Sequence, residues 1–171
     1  LMLNRVKRIK EDCKSIEECL NKFTIKEMKP IVVTSEITMK EDFRETYSEV
    51  LNKYDYSTRI KKAVNLSGVS RIVYFNKDTV TKERYIFYEK LEKAVDEKRE
   101  IISYPKCIYI VITVPIVCDG DNIDENMATS IIDTAKELGY ETQGIAFINL
   151  LFNGYKDEQN IQYLEIYAPI K

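Results

Sequence analysis

Gly68-Val69-Ser70-Arg71-Ile72-Val73-Tyr74-Phe75-Asn76 reads against Gly144-Ile145-Ala146-Phe147-Ile148-Asn149-Leu150-Leu151-Phe152-Asn153, with one residue inserted in the second stretch. Each is a glycine followed by the β-branched and aromatic residues that favour strands. Each also follows a proline at nearly the same interval, Pro30 before Gly68 and Pro105 before Gly144, with a segment of helical spacing between. The chain is therefore read as two βαββ units, residues about 23–95 and 96–171, in an α+β fold. A pseudo-twofold axis relates the units and leaves a central cleft between them.

Working outward, Thr24 to Ile37 is a strand with Pro30 near its middle, where no ladder hydrogen bond is needed. A helix from about Lys40 to Lys53 puts Phe43, Tyr47, Val50, Leu51 and Tyr54 on one face, and strands follow at about 70–76 and 84–92. The second unit opens with the β run Ile101 to Val117, which contains Pro105. Its helix runs from Ile123 to Leu138 and stops at Gly139, and Asn153-Gly154 predicts the hairpin turn before a last strand from Ile161 to Ile170. Ahead of both units, Met2, Val6, Ile9, Cys13, Ile16, Leu20 and Phe23 alternate spacings of four and three, a heptad seam among charged residues. Residues 1–22 are thus expected to be a coiled-coil helix that dimerises the chain, the alternative being a helix packed back on its own domain.

Composition excludes several functions. The 171 residues include 44% hydrophobic ones, enough for a core, and a net charge of −2 argues against a basic nucleic-acid-binding face. No apolar run approaches the roughly 18 residues of a membrane-spanning helix, so a soluble protein with no membrane partner is expected. With no histidine at all, Ser-His-Asp and Cys-His catalysis and ordinary zinc sites are ruled out, and Cys13, Cys19, Cys107 and Cys118 lack CxxC spacing. They read as reduced cysteines of a cytoplasmic protein. Asp119-Gly120-Asp121-Asn122-Ile123-Asp124 lacks the ligand spacing of a calcium loop and is a turn with a helix N-cap. No metal, cofactor or catalytic residue is assigned, and the first residue, Leu1, suggests a piece of a longer protein.

In the last strand Leu164, Ile166, Ala168 and Ile170 alternate with Tyr163, Glu165 and Tyr167. The aliphatic set should pack on helices, leaving a carboxylate between two aromatic rings, an arrangement that suits a flat or cationic organic molecule. On the preceding strand Phe147, Asn149 and Leu151 share a face, and Asn149 needs a partner if buried. Tyr74 takes the place of Leu151 in the first unit, with Phe87 on the adjacent strand. Tyr47, Tyr74, Phe87, Phe147, Asn149, Leu151, Tyr163, Glu165 and Tyr167 are the candidate ligand-binding residues.

The closing stretch from Gly139, GYETQGIAFINLLFN followed by YLEIYAPIK, resembles the C-terminal half of GyrI-like (SHS2-like) effector-binding domains. The heptad helix is similar to the dimerisation linker of MerR-family, BmrR-like transcription regulators. The resemblance covers nearly the whole chain. It implies a homodimeric multidrug sensor whose 23–171 domain binds an aromatic ligand, either cationic or equally neutral or zwitterionic, and whose contact with promoter DNA runs through an N-terminal domain absent from this chain. It implies no enzyme activity. By position the family's central glutamate falls on Asn149, so its charge would have to come from Glu165 or Glu89, and the segment Thr46-Tyr47-Ser48 would form an aromatic wall. Two alternatives remain on the same fold: a small-molecule hydrolase using Glu165 with Tyr163 or Tyr47, and a gyrase-inhibitor-like protein-binding module.

Overall fold

Six strands close on themselves in the order β1-β3-β2-β5-β6-β4, with β4 returning to β1 and every pair antiparallel. In this computed structural model residues 2–37, 67–77, 79–91, 98–115 and 125–171 are described. The strands are β1 (Thr24–Ile37), β2 (Ser67–Asn76), β3 (Thr79–Lys90), β4 (Ile101–Pro115), β5 (Ile145–Lys156) and β6 (Gln159–Pro169). Helix α1 (Met2–Cys19) precedes them, and α2 (Glu125–Glu137) lies between β4 and β5. The helix expected over 40–53, with Tyr47, lies outside the described residues, as does the 119–124 turn. The strand order is the same read from either end, once β1, β3 and β2 are matched with β4, β6 and β5.

Proline chemistry shapes the seam that closes the barrel. The β1·β4 partners skip from Lys26↔Cys107 to Met28↔Tyr104 and then to Ile31↔Ile102. Pro105 falls in the first skip and Pro30 in the second. Neither has an N–H to offer a ladder, so each sits where the ladder is interrupted.

Two apolar layers result from the alternation of the strands. On the outer face Ile108, Ile110, Ile148, Leu164, Ile166 and Ala168 pack with Ala128, Ile131 and Ala135 of α2. Spacings of three and four place those helical residues on one face. The helix stops where Gly139 takes φ 78°: its N–H reaches the carbonyl of Lys136, and that of Tyr140 reaches Ala135 at 2.8 Å. Inside the barrel, Met28, Ile72, Ile86, Tyr88 and Phe147 form the second layer.

One sequence expectation is corrected. Asn153-Gly154 does not turn; β5 runs on to Lys156, and the chain reverses at Asp157 and Glu158, whose φ angles of 50° and 62° suit a two-residue hairpin turn of the primed type. Gly154 instead lies against the ring of Tyr163, where a Cβ would sit 3.0 Å from Cε2. Helix α1 divides its heptad seam between the barrel and solvent. Cys19 is buried against Tyr109 and Val111, with Ile16 beside it, whereas Leu3, Val6 and Ile9 are 80%, 55% and 50% exposed. Asn21, at φ 54°, ends the helix, and its N–H bonds the Val111 carbonyl at 2.7 Å, pinning the end of α1 to the barrel.

Gly144 (φ 71°) launches β5, and its carbonyl accepts from the Phe75 N–H; a Cβ there would lie 2.9 Å from the Phe75 carbonyl oxygen, whereas one on Gly139 would meet nothing within 4 Å. Gly139→Ala is therefore expected to cost about 1–2 kcal/mol of backbone strain, and Gly144→Ala about 2–4 kcal/mol because steric crowding adds to the strain. Urea unfolding of the two variants checks this order.

Candidate functional site

The inward face of β6 supplies the site's charge. Its outward residues Leu164, Ile166 and Ala168 are held against α2, which fixes the register and turns Tyr163, Glu165 and Tyr167 the other way. Glu165 stands directly opposite Asn149 on β5 and Val111 on β4. The amide nitrogen of Asn149 donates to Glu165 Oε1 at 3.2 Å, and the Tyr109 hydroxyl donates to Oε2 at 2.7 Å. Each carboxylate oxygen thus accepts one bond, which offsets the cost of withdrawing the charge from water. Because a carboxylate only accepts, the amide nitrogen must face it. The Asn149 Oδ1 then points away and, like the buried Oγ of its cross-strand neighbour Ser70, has no hydrogen-bond partner among the described residues.

Aromatic residues surround this charge. Tyr109 and Tyr167 are cross-strand partners with ring centroids 4.7 Å apart and planes tilted by 56°. Tyr88 enters from β3. A cavity of about 350 Å³ opens above Glu165, Asn149, Tyr88 and Tyr167, bounded by Lys26, Met28 and Ile31 of β1 and by Asp12 and Ser15 of α1. That volume is the lower end of what holds an organic molecule. The helix expected as a dimerisation linker forms one wall of the cavity.

Burial, reinforced by the Glu165 charge, pushes the hydroxyls of Tyr88, Tyr109 and Tyr167 well above the ordinary tyrosine range. Desolvation on docking of α1 raises the Asp12 carboxyl, with Arg8 opposing the shift and Glu165 adding to it. Burial likewise pushes the Cys107 thiol up to about 11.

The structure brings Asn149, Glu165 and Tyr167 together at the cavity. Phe147, fully buried, lies two residues along β5 beneath it, tilted against Tyr104 at 5.7 Å. Leu151 packs in the small cluster under α1 with Tyr109 and Cys19. Tyr74 is four residues along β2 from Ser70, where its hydroxyl accepts from Arg84 at 3.3 Å and the Lys82 ammonium lies 5.8 Å from its ring. Tyr163 lies against Gly154, opposite Phe152 and Thr113, and is not a cavity residue. Phe87 has the opposite parity to Tyr88, so β3 presents Tyr88 to the cavity, and Glu89 is likewise turned from it.

Sequence reasoning missed Tyr88, Tyr109, Lys26 and the α1 wall. Tyr109 is hidden in Cys107-Ile108-Tyr109-Ile110-Val111, an uninterrupted apolar run buried on both faces that shows no alternation to read. The parity of Ile86 and Tyr88 could have identified the right aromatic residue of β3, given the register.

The three tyrosines yield a pH prediction. Their folded-state pKa values lie above the ordinary value of 10.0, so between pH 10 and the folded values the unfolded chain holds fewer protons. Stability is full below pH 10 and falls as pH rises beyond it. Phenolate absorbance should show these hydroxyls ionising only with unfolding, and Tyr109→Phe should cost about 1–3 kcal/mol at neutral pH for the lost bond to a carboxylate.

No family model matches the chain, and no curated protein matches it. Among solved structures it is similar to the C-terminal domain of EcmrR, at 12% identity over 88% of this chain and 97% of that one, with a TM-score of 0.53. It is also similar to SAV2435 bound to tetraphenylphosphonium, at 11% identity, 88% and 94% coverage and a TM-score of 0.43. A protein described as a "putative bacterial transcription regulation protein" from Staphylococcus aureus MU50 matches at 12% identity, 88% and 98% coverage and a TM-score of 0.37. The likeness to the C-terminal domain of EcmrR shows a shared fold.

Proposed function

We propose that this chain is the ligand-sensing domain of a bacterial transcription regulator and binds an aromatic cation in the cavity above Glu165. The observation that carries this reading is a carboxylate held by Tyr109 and Asn149 at the floor of a cavity of about 350 Å³, flanked by Tyr88 and Tyr167. A carboxylate offers charge, and tyrosine rings offer stacking and cation–π attraction. Asn149 stands where the resemblance expects a glutamate, and Glu165 supplies the charge from one strand over. The amide orients that charge instead of carrying it. An amide at Asn149 cannot act as a base, which favours sensing over hydrolysis.

The palindromic strand order supports a duplicated βαββ domain, with β1, β2 and β3 answered by β4, β5 and β6. Helix α1 supports transmission to a DNA-binding domain outside this chain. One side of it forms the cavity wall, while Leu3, Val6, Ile9 and Cys13 on another side are exposed. Such a stripe suits a second copy of the helix in a homodimer. Ligand binding would then bias the geometry of paired helices, a shift between two states without turnover.

Calorimetry with tetraphenylphosphonium and neutral triphenylphosphine oxide tests the sensor. The wild type should bind the cation at least about tenfold more tightly than the neutral compound, and Glu165→Gln should erase most of that preference. Equal affinity for the two compounds, or a reaction product found by mass spectrometry, would sink the reading. Sedimentation equilibrium tests the dimer: a Val6→Glu, Ile9→Glu double variant should be monomeric where the wild type is dimeric.

A further inference from the structure

The aromatic site already contains a cation of its own. Lys26, on the inward side of β1 just before the proline-associated skip, places its ammonium 4.2 Å from the centroid of the Tyr109 ring and 6.0 Å from that of Tyr167. Both distances fall within cation–π range. Tyr109 has no exposed surface and does not reach the cavity, whereas Lys26 lines it. A ligand cation seeking the face of Tyr109 therefore meets Lys26 first.

The ammonium is held weakly enough to move. Its hydrogen bond to the Ser15 hydroxyl of α1 spans 3.5 Å and is solvent-exposed. By contrast Lys106, the lysine 3.9 Å from the Tyr140 ring, is clamped by a bond of 2.6 Å to the Tyr140 hydroxyl. The Lys26 stem is exposed and long enough to swing its charge into solvent without disturbing the barrel.

We propose that Lys26 is a tethered occupant of the aromatic site that sets its ligand threshold: an incoming organic cation binds by displacing the Lys26 ammonium from Tyr109. The proposal rests on the cation-sensing reading above. It assigns Lys26 a specificity role, because a ligand must outcompete a primary ammonium that is always present at high local concentration. A weak or poorly stacking cation fails that comparison, and a broad aromatic one passes.

Calorimetry of tetraphenylphosphonium with the wild type, Lys26→Met and Lys29→Met separates displacement from simple charge. Lys29 also lines the cavity, so removing it deletes the same charge without vacating the ring. Lys26→Met should tighten binding about 3–10-fold, the worth of one cation–π contact, and Lys29→Met should change it less than twofold. In the unmodified protein, the Lys26 ε-methylene proton resonance should be shifted upfield by the Tyr109 ring and should return to the position of an exposed lysine at saturation. Equal tightening in both variants would overturn the proposal in favour of plain charge. Binding by the wild type with no gain in Lys26→Met, or with the upfield shift retained at saturation, would overturn it and leave the sensing reading intact. No binding by any of the three proteins would overturn both.

Discussion

A carboxylate drawn into a barrel must be matched or it opposes folding, and the inside of this barrel is organised around that requirement. Glu165 is met from β4 by a hydroxyl and from β5 by an amide, so three adjacent strands are tied at one point. Each partner has a second duty. Tyr109 packs its ring on Tyr167 and on Cys19 of α1, and Asn149 is the cross-strand neighbour of Ser70 on β2. Losing either would leave a charge without its full complement and loosen a contact elsewhere. The partners of the buried carboxylate and the packing of the barrel therefore share the same residues.

Helix α1 faces two ways, with one side over the cavity and another open to solvent. Ile16 and Cys19 anchor its C-terminal half on the barrel, next to a backbone bridge from Leu20 to Val111. Asp12 and Ser15 stand over the cavity, and Asp12 bears the cost of partial burial beside Glu165. A cation arriving between these two carboxylates would relieve their repulsion. Strengthening the hold on α1 is thus a natural electrostatic consequence of occupancy.

The alternation in β6 was legible because one of its faces is aliphatic and the other is not, so Glu165 and Tyr167 could be read from sequence on the face turned from the helices. Asn149 was legible as a buried amide needing a partner, and Glu165 is that partner. Where both faces of a strand are apolar, as in β4, period two carries no information, and Tyr109 stayed hidden. Phe87 was chosen over Tyr88 because two neighbouring aromatic residues differ only by parity, which the register with β1 and β2 decides. Asn153-Gly154 carries a strong turn signature, yet tertiary packing against Tyr163 claimed the glycine, and two residues with no such signature made the turn. The heptad of α1 was legible as a pattern, but a pattern does not say which side docks on its own domain.

Closure of the barrel has a consequence for association. A sheet that ends leaves a row of unpaired N–H and C=O groups that can template strand addition and aggregation. Here β4 pairs with β1, so each of the six strands has a neighbour on both sides. Copies of this domain cannot join by extending a sheet without first breaking the β1·β4 seam, which the two prolines already thin. Contact with other molecules is left to side chains and helices, and the seam is the place where misassembly by strand exchange would begin.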